Sequence, residues 1–250
     1  MDLFRLDGKV AVVTGGSRGI GKAIALGLGR AGADVVIASR NEEECRRVAD
    51  EVCAMGRKAL AAKCDVSAPA DVATLFDRVA SSCGGTDVLV CCAGLSSVAR
   101  AEDVSRVELQ RMLDVHFLGA MEASQRAFAQ MKSRDGGSIV VVGSIWGLGA
   151  QPLSIAYGCA KAALHHAVKV MAVEWAPFAV RVNGLAPGYV DTDMTAEIDA
   201  TVRDKFLKRV PMRRMATPSE MVGPAVFLSS SGSSYVTGQV LVADGGQRAR

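Results

Sequence analysis

The feature that most constrains this chain is Thr14-Gly15-Gly16-Ser17-Arg18-Gly19-Ile20-Gly21, a glycine cluster set between two different periodicities. Before it, residues 9–13 form a short valine-rich run that reads as a strand. After it, Ile20, Ala23, Ile24 and Leu28 recur on one helical stripe. Gly15 permits the tight turn, Gly19 lets a ligand approach the backbone, and Gly21 lets the helix lie close to the sheet. The helix start then offers unpaired N–H groups and a positive dipole end. A pyrophosphate cradle built from Gly15, Ser17, Arg18, Gly19, Ile20 and Gly21 is therefore expected.

The alternation continues along the chain. Further strands are predicted over residues 34–39, 58–63, 87–91, 138–142, 181–185 and 239–242. Further helices are predicted over 42–55, 69–82, 107–131, 156–175 and 218–230. Asn41 caps the helix at 42–55, and Pro177 stops the one at 156–175. Seven strands alternating with six helices imply an α/β fold, a seven-stranded parallel doubly wound sheet flanked by helices on both faces. One domain spans residues 1–250, without linker or repeat. The segment at about 191–215 is charged and weakly periodic, as suits a substrate lid.

Composition narrows the function. A net charge of +3 without a basic block argues against a nucleic-acid groove. No apolar run approaches the roughly 20 residues of a membrane span, and neither end carries a targeting signal, so a cytoplasmic protein is expected. The seven cysteines are odd in number and form no Cys-x-x-Cys pair, which points to reduced thiols. A disulfide between adjacent Cys91 and Cys92 would be strained. His116, His165 and His166 lack metal-ligand spacing, and no metal is expected.

The end of the second strand speaks to the cofactor. Nicotinamide sites that take NAD place an acid there for the ribose 2′-hydroxyl. This chain has Ser39-Arg40, and Arg18 in the glycine turn adds a second cation. Two guanidinium groups without a carboxylate suit a 2′-phosphate, so NADP(H) is the expected cofactor. Asp65, with Val66 beside it, follows the third strand and is placed to hold the adenine amino group. Cys92, Ala93 and Gly94 close the fourth strand, where ligands bind in open parallel sheets.

Tyr157 and Lys161 lie four residues apart on one helix face, and Ser144 follows the strand at 138–142. An ammonium beside a phenol favours the phenolate, which makes the tyrosine a proton donor or acceptor near neutral pH. A Tyr-x-x-x-Lys pair alone is also an ordinary solvated helix face. Apolar side chains around these groups, Leu95, Ile145, Trp146, Leu153, Tyr189 and Met194, are candidates for a substrate pocket. Trp146 is equally compatible with a loop anchor. With no obvious carboxylate or phosphate receptor among them, an apolar or aromatic carbonyl is favoured over a sugar acid.

Taken together, Thr14-Gly-x-x-x-Gly-Ile-Gly21, Asp65-Val66, Ala93-Gly94, Ser144, Tyr157-x-x-x-Lys161, Arg181-Val182-Asn183, Pro187-Gly188 and Asp244-Gly245-Gly246 resemble the short-chain dehydrogenase/reductase family over essentially the whole chain. The resemblance implies a Rossmann-type domain and a hydride exchange between NADP(H) and a carbonyl or alcohol. It implies that Tyr157 is the general acid or base, and that Lys161 tunes Tyr157 and holds the nicotinamide ribose. Ser144 would hold the substrate oxygen, with Pro187, Gly188, Val190 and Thr192 lining the nicotinamide end. It also implies a homotetramer or homodimer built on the helices at 107–131 and 156–175 and on the last strand.

Two positions depart from the family pattern. Cys91-Cys92-Ala93-Gly94 stands where Asn-Asn-Ala-Gly is usual, which exchanges amides for weakly hydrogen-bonding thiols. His116 stands where relatives carry a catalytic asparagine that holds a water linking the lysine to solvent. A histidine there keeps a proton path with its own titration, or fills the place of the water, or is a satisfied helix residue without part in the chemistry. His165 and His166 read as helix packing or subunit interface.

Two other functions compete with a general carbonyl reductase or alcohol dehydrogenase. The chain also resembles 3-oxoacyl reductases acting on acyl carrier protein or CoA esters. Asp135 and Phe178, however, occupy positions where such proteins tend to be basic, leaving Lys132, Arg134 and Arg181 to compensate. The second is an NADP-binding sensor or partner subunit that has given up chemistry. His116 and the paired cysteines support it, and the complete Ser144, Tyr157 and Lys161 set opposes it.

Overall fold

The structure, a computed structural model, describes residues 2–196 and 199–249. Seven strands, β1 (Val10–Thr14), β2 (Asp34–Ser39), β3 (Ala59–Lys63), β4 (Val88–Cys91), β5 (Gly137–Val142), β6 (Val180–Pro187) and β7 (Val240–Ala243), form one sheet. Its order is β3-β2-β1-β4-β5-β6-β7, with every pair parallel. The chain thus runs outward from β1 in one direction, then crosses to β4 and runs outward in the other. Ligands of such sheets bind at this switch point, outside the carboxyl ends of the strands.

The central strands β1, β4, β5 and β6 are buried on both faces, so they read as nearly continuous apolar runs. In β1, Val10 and Val12 enter one core layer, while Ala11 and Val13 enter the layer on the opposite face. Helices α1 (Gly19–Arg30), α2 (Glu42–Cys53) and α3 (Pro69–Cys83) follow the first three strands. Asn41 caps α2 by accepting the Glu44 N–H at 3.3 Å, as its sequence position predicts.

Three predicted boundaries differ from the structure in ways that matter for the site. The helix expected over 107–131 is α4 (Arg106–Leu113), a π-helical segment (Asp114–Leu118) and α5 (Gly119–Met131). At the α5 junction Gly119 lies against β3's outgoing turn, where a Cβ would come within 2.5 Å of the Val66 carbonyl oxygen. Such π segments re-aim side chains, and this one carries His116 inward. Strand β6 extends to Pro187, beyond the expected end at 185, because its pairing with β7 continues to Ala243. The last helix begins as a 3₁₀ turn, Pro218–Met221, before α9 (Val222–Ser229).

Helix α6 (Ile155–Trp175) packs on β6, and its far end is fixed by Trp175 stacked on Phe128 at 4.4 Å. Within the segment at 191–215, α7 (Asp193–Ala196) and α8 (Ala200–Leu207) precede an irregular stretch; residues 197 and 198 lie outside the described residues. Among the described residues, no helix is long and apolar enough to cross a membrane.

Candidate active site

The glycine turn is built as its composition requires. Gly15 has φ +69°, and a Cβ there would fall 2.6 Å from the Ala93 Cα, so the turns after β1 and β4 touch only because Gly15 is bare. A Cβ at Gly21 would overlap the Gly15 carbonyl, which lies 2.8 Å away at its carbon. Helix α1 starts at Gly19, and Arg18 at its N-cap gives no side-chain hydrogen bond to the first turn. Those N–H groups are directed at the carboxyl edge of the sheet. Ser17 and Ile20 flank the turn, and Thr192 lies over it, 3.5 Å from where a Gly19 Cβ would stand.

At the end of β2, Ser39 is occupied locally by Asn41 N–H and the Cys45 thiol, while Arg40 is exposed. Asp65 spends one carboxylate oxygen on Ser67, whose N–H and hydroxyl donate to it at 3.0 and 2.7 Å. Those bonds, with a smaller contribution from Arg40, hold its carboxyl below the usual range. Arg18 lies 3.5 Å from Asp193 at the start of α7. The turn and the free helix start fit the pyrophosphate of a nicotinamide dinucleotide.

Ser144, Tyr157, Lys161 and His116 converge at the same edge. Ser144 follows β5, and its hydroxyl accepts the Trp146 N–H at 3.2 Å. Tyr157 is half-buried on the first turn of α6. Lys161 is 5% exposed, and its ammonium donates to the Val142 carbonyl at 2.7 Å and stands 5.7 Å from the Tyr157 ring centre. Burial pulls its pKa down to about 8. The expectation that Lys161 lowers the Tyr157 pKa is corrected in the free protein. Desolvation dominates and pushes the phenol up, with the Ser144 hydroxyl opposing. Lys161 is turned to Val142 and reaches only the ring.

His116 is 2% exposed and stands edge-on to the Tyr157 ring. Its Nε2 lies 2.8 Å from the Leu95 carbonyl oxygen and 3.3 Å from the Leu95 N–H, so the ring tautomer decides which bond forms: a proton on Nε2 donates to the closer carbonyl and leaves Nδ1 as an acceptor. Nδ1 is buried without a hydrogen-bond partner. The ring packs on Gly94, where a Cβ would fall 2.8 Å from Cε1. Burial first, then the Lys161 charge, pulls His116 down to about 3. It therefore stays neutral at working pH, and the expectation of a titration of its own is corrected. A cavity of about 10 Å³ lies between Thr14, Cys91, Ala93, His116, Val142 and Lys161. That is about the volume one water needs.

The cysteine departure is equally quiet. Cys91 makes only long contacts, 3.8 Å to the Ala120 carbonyl and 3.9 Å to the Ser124 hydroxyl. Burial pushes Cys91 to about 12 and Cys92 to about 11, so both are inert thiols.

The predicted apolar pocket is partly reassigned. Ile145 is 1% exposed and belongs to the interior, so it is unavailable to a substrate. Trp146 instead meets Tyr189 edge-on at 5.9 Å, and Tyr189 stacks on Phe206 at 5.0 Å. Phe206, on α8, was missed because its segment lacks a clear period. Leu153 and Met194 are exposed, and Leu153 holds a strained φ of +67° while its carbonyl accepts the Ala99 N–H. Leu95 is half-buried and packs on Met112, Ala156 and Ala160. Pro187 and Gly188 end β6 beside Asp244, and the Val190 side chain is buried while its carbonyl accepts the Thr195 hydroxyl at 2.8 Å.

A family model described as Enoyl-(Acyl carrier protein) reductase matches residues 15–248. A short-chain type dehydrogenase/reductase from Mycobacterium marinum superposes with TM-score 0.96 at 38% identity, covering 100% of this chain and 99% of that one. The chain belongs to the short-chain dehydrogenase/reductase family. It is an oxidoreductase of that type. Other members of the family are equally close in fold. A gluconate 5-dehydrogenase from Burkholderia cenocepacia in complex with NADP and tartrate has TM-score 0.96 at 35% identity, covering 100% of this chain and 98% of that one. A 7α-hydroxysteroid dehydrogenase complexed with NADH and 7-oxo glycochenodeoxycholic acid has TM-score 0.95 at 33% identity, covering 98% of this chain and 96% of that one.

Proposed function

We propose that this oxidoreductase uses NADP(H) to interconvert an apolar or aromatic ketone or aldehyde and its alcohol. The observation that carries the chemistry is the convergence of Ser144, Tyr157 and Lys161 beside the glycine turn. When bound, the cofactor supplies or accepts the hydride. Ser144 accepts the Trp146 N–H and keeps its own hydroxyl proton to donate to the substrate oxygen. Tyr157 delivers the proton to that oxygen in reduction and removes it in oxidation. Lys161 places a buried positive charge behind the phenol and holds the nicotinamide ribose. His116 lines the same cavity as Lys161 and offers Nδ1 as a neutral acceptor, so a water there would link the ammonium to the π segment.

Arg40 and Arg18 support the choice of NADP(H), since nothing acidic at Ser39 repels a 2′-phosphate. The aromatic series Trp146, Tyr189 and Phe206 supports an apolar or aromatic substrate. The acyl carrier alternative loses support. Arg181 donates inward to Leu228, Ser230, Ser233 and Val236, Arg134 pairs with Asp87, and Lys132 covers Phe128. The segment at 191–215, with Phe206 against Tyr189, would act as the lid. Seven free thiols suit a reducing cytoplasm. Exposed Val107, Val173 and Phe178 on the helix pair and Leu241 and Val242 on β7 support assembly into a homotetramer or homodimer. NADPH consumption with aryl ketones, sugar acids and 3-oxoacyl esters tests the substrate class. Turnover of aryl ketones well above the other two supports the reading, and a preference for either of the others overturns it.

A further inference from the structure

The sequence places His165 in helix packing or a subunit interface, and in the structure its side chain holds the loop that carries Ser144. It lies on α6, one turn beyond Lys161 and two beyond Tyr157, and is only 3% exposed. The Ser144 N–H donates to its Nε2 at 3.4 Å. Two glycines make room for the ring. A Cβ at Gly143 would overlap it, 2.7 Å from Cδ2, and a Cβ at Gly147 would lie 2.8 Å from both Cε1 and Nδ1. The strand end and the 3₁₀ turn Ile145–Gly147 therefore wrap around the imidazole from both sides.

Backbone bonds to β6 and within the turn fix the neighbours of Ser144. Gly143 N–H donates to the Leu185 carbonyl at 2.7 Å, and Gly147 N–H to the Ser144 carbonyl at 3.0 Å. The Trp146 N–H is held within the loop by the Ser144 hydroxyl, whereas the Ser144 N–H is held by a side chain from outside it, on the helix that also carries Tyr157 and Lys161. We infer that His165 is a positioning residue, whose Nε2 ties the Ser144 backbone to α6 and so fixes the distance between the serine hydroxyl and the Tyr157 phenol. The inference rests on the catalytic reading of Ser144 and Tyr157.

The bond requires an unprotonated Nε2, with the ring proton on Nδ1. The surroundings keep the ring in that neutral form. Lys161 and Lys169 face it from its own helix, with His166 next to it, and the β7 side contributes only Gly238, neutral Gln239 and Val240. Burial and these cations hold the imidazole down to about 4, against the Gly147 backbone, which favours protonation. Protonation would replace the acceptor by a donor facing a donor.

The test compares His165→Leu, which keeps volume and removes the acceptor, with His165→Gln, which restores one. NADPH affinity and the unfolding midpoint are measured alongside. His165→Leu is expected to lower kcat about tenfold or more with NADPH binding unchanged, and His165→Gln to recover most of it. Equal kcat for the two variants, or an unchanged kcat in His165→Leu, would overturn the inference. A readout independent of turnover is the ring ¹⁵N spectrum of labelled wild-type protein. An Nδ1–H tautomer at neutral pH supports the assignment, and an Nε2–H tautomer overturns it even if no substrate is found. A wild type that binds NADPH and reduces no carbonyl would instead overturn the proposed function, leaving the spectrum to decide on His165.

Discussion

His116 and Tyr157 meet edge to face, with ring centres 5.2 Å apart and planes at 88°. The contact joins the π segment to the first turn of α6, and it exists because the extra residue in that segment rotates His116 inward. In the neutral tautomer that donates from Nε2 to the Leu95 carbonyl, the closer of its two Leu95 contacts, the imidazole offers the active site a lone pair at Nδ1.

That geometry separates an acceptor role from a packing role. His116→Asn keeps an amide oxygen, and is expected to retain kcat within about threefold. His116→Leu keeps volume without an acceptor, and is expected to lose about tenfold, a typical scale for a lost proton-path contact. NADPH affinity, read by fluorescence titration, should stay put in both. Equal kcat for His116→Leu and wild type would assign the residue to structure. Because burial holds it at about 3, neither substitution should change the shape of the pH profile between neutral and alkaline pH.

Lys161 sets the alkaline limb instead. Its pKa is depressed to about 8, so its charge is present below that pH and lost as pH rises through it, while Tyr157, pushed up, stays protonated. kcat/KM for carbonyl reduction, which reports the free enzyme, should therefore fall as pH rises through about 8. Lys161→Arg keeps its charge at all these pH values, and should move the fall upward whatever it costs in rate. An unmoved limb would give the titration to another group. The same shift makes the fold more stable as pH rises between about 8 and the ordinary lysine value, since the unfolded chain then holds more protons.

The proposed preference for NADP(H) rests on Arg40 and Arg18. The double variant Arg40→Asp/Arg18→Ala should shift the ratio of kcat/KM for NADPH over NADH toward NADH by about a hundredfold, the loss of two charge-assisted contacts. Arg18 pairs with Asp193 in an exposed bridge of little strength, which should not oppose a phosphate. A ratio that stays put would contradict the assignment.

Substrate preference is read from the aromatic series. Phe206→Ala removes the stacking partner of Tyr189, and should raise KM for aryl ketones about tenfold through the loss of roughly 1 kcal/mol or more of ring packing. KM for a small aliphatic ketone should change little. Equal effects on both would place Phe206 outside the pocket.

The alternation of the chain made the fold legible. Each strand is a short apolar run closed by a turn, and each helix carries its own stripe. What stayed hidden has physical causes. The stripe over 107–131 continues through Asp114–Leu118, and although Gly119 marks the far end of the π segment, nothing local shows that His116 turns inward. Ile145 and Trp146 are adjacent apolar residues, and only the 3₁₀ turn decides which is interior. The charge beside Tyr157 was countable in the sequence, whereas the desolvation that outweighs it depends on packing. His165 falls on the Tyr157–Lys161 stripe, but its bond to Ser144 needs the register of β5 against α6, which no local pattern carries.

The central claim is that Tyr157 moves the proton at the substrate oxygen. The most direct measurement is NADPH consumption with the best carbonyl substrate, comparing wild type and Tyr157→Phe at matched NADPH saturation. The account predicts a loss of at least about 100-fold in kcat, within the range for a general acid, with NADPH still bound. Turnover by Tyr157→Phe at the wild-type rate would contradict it.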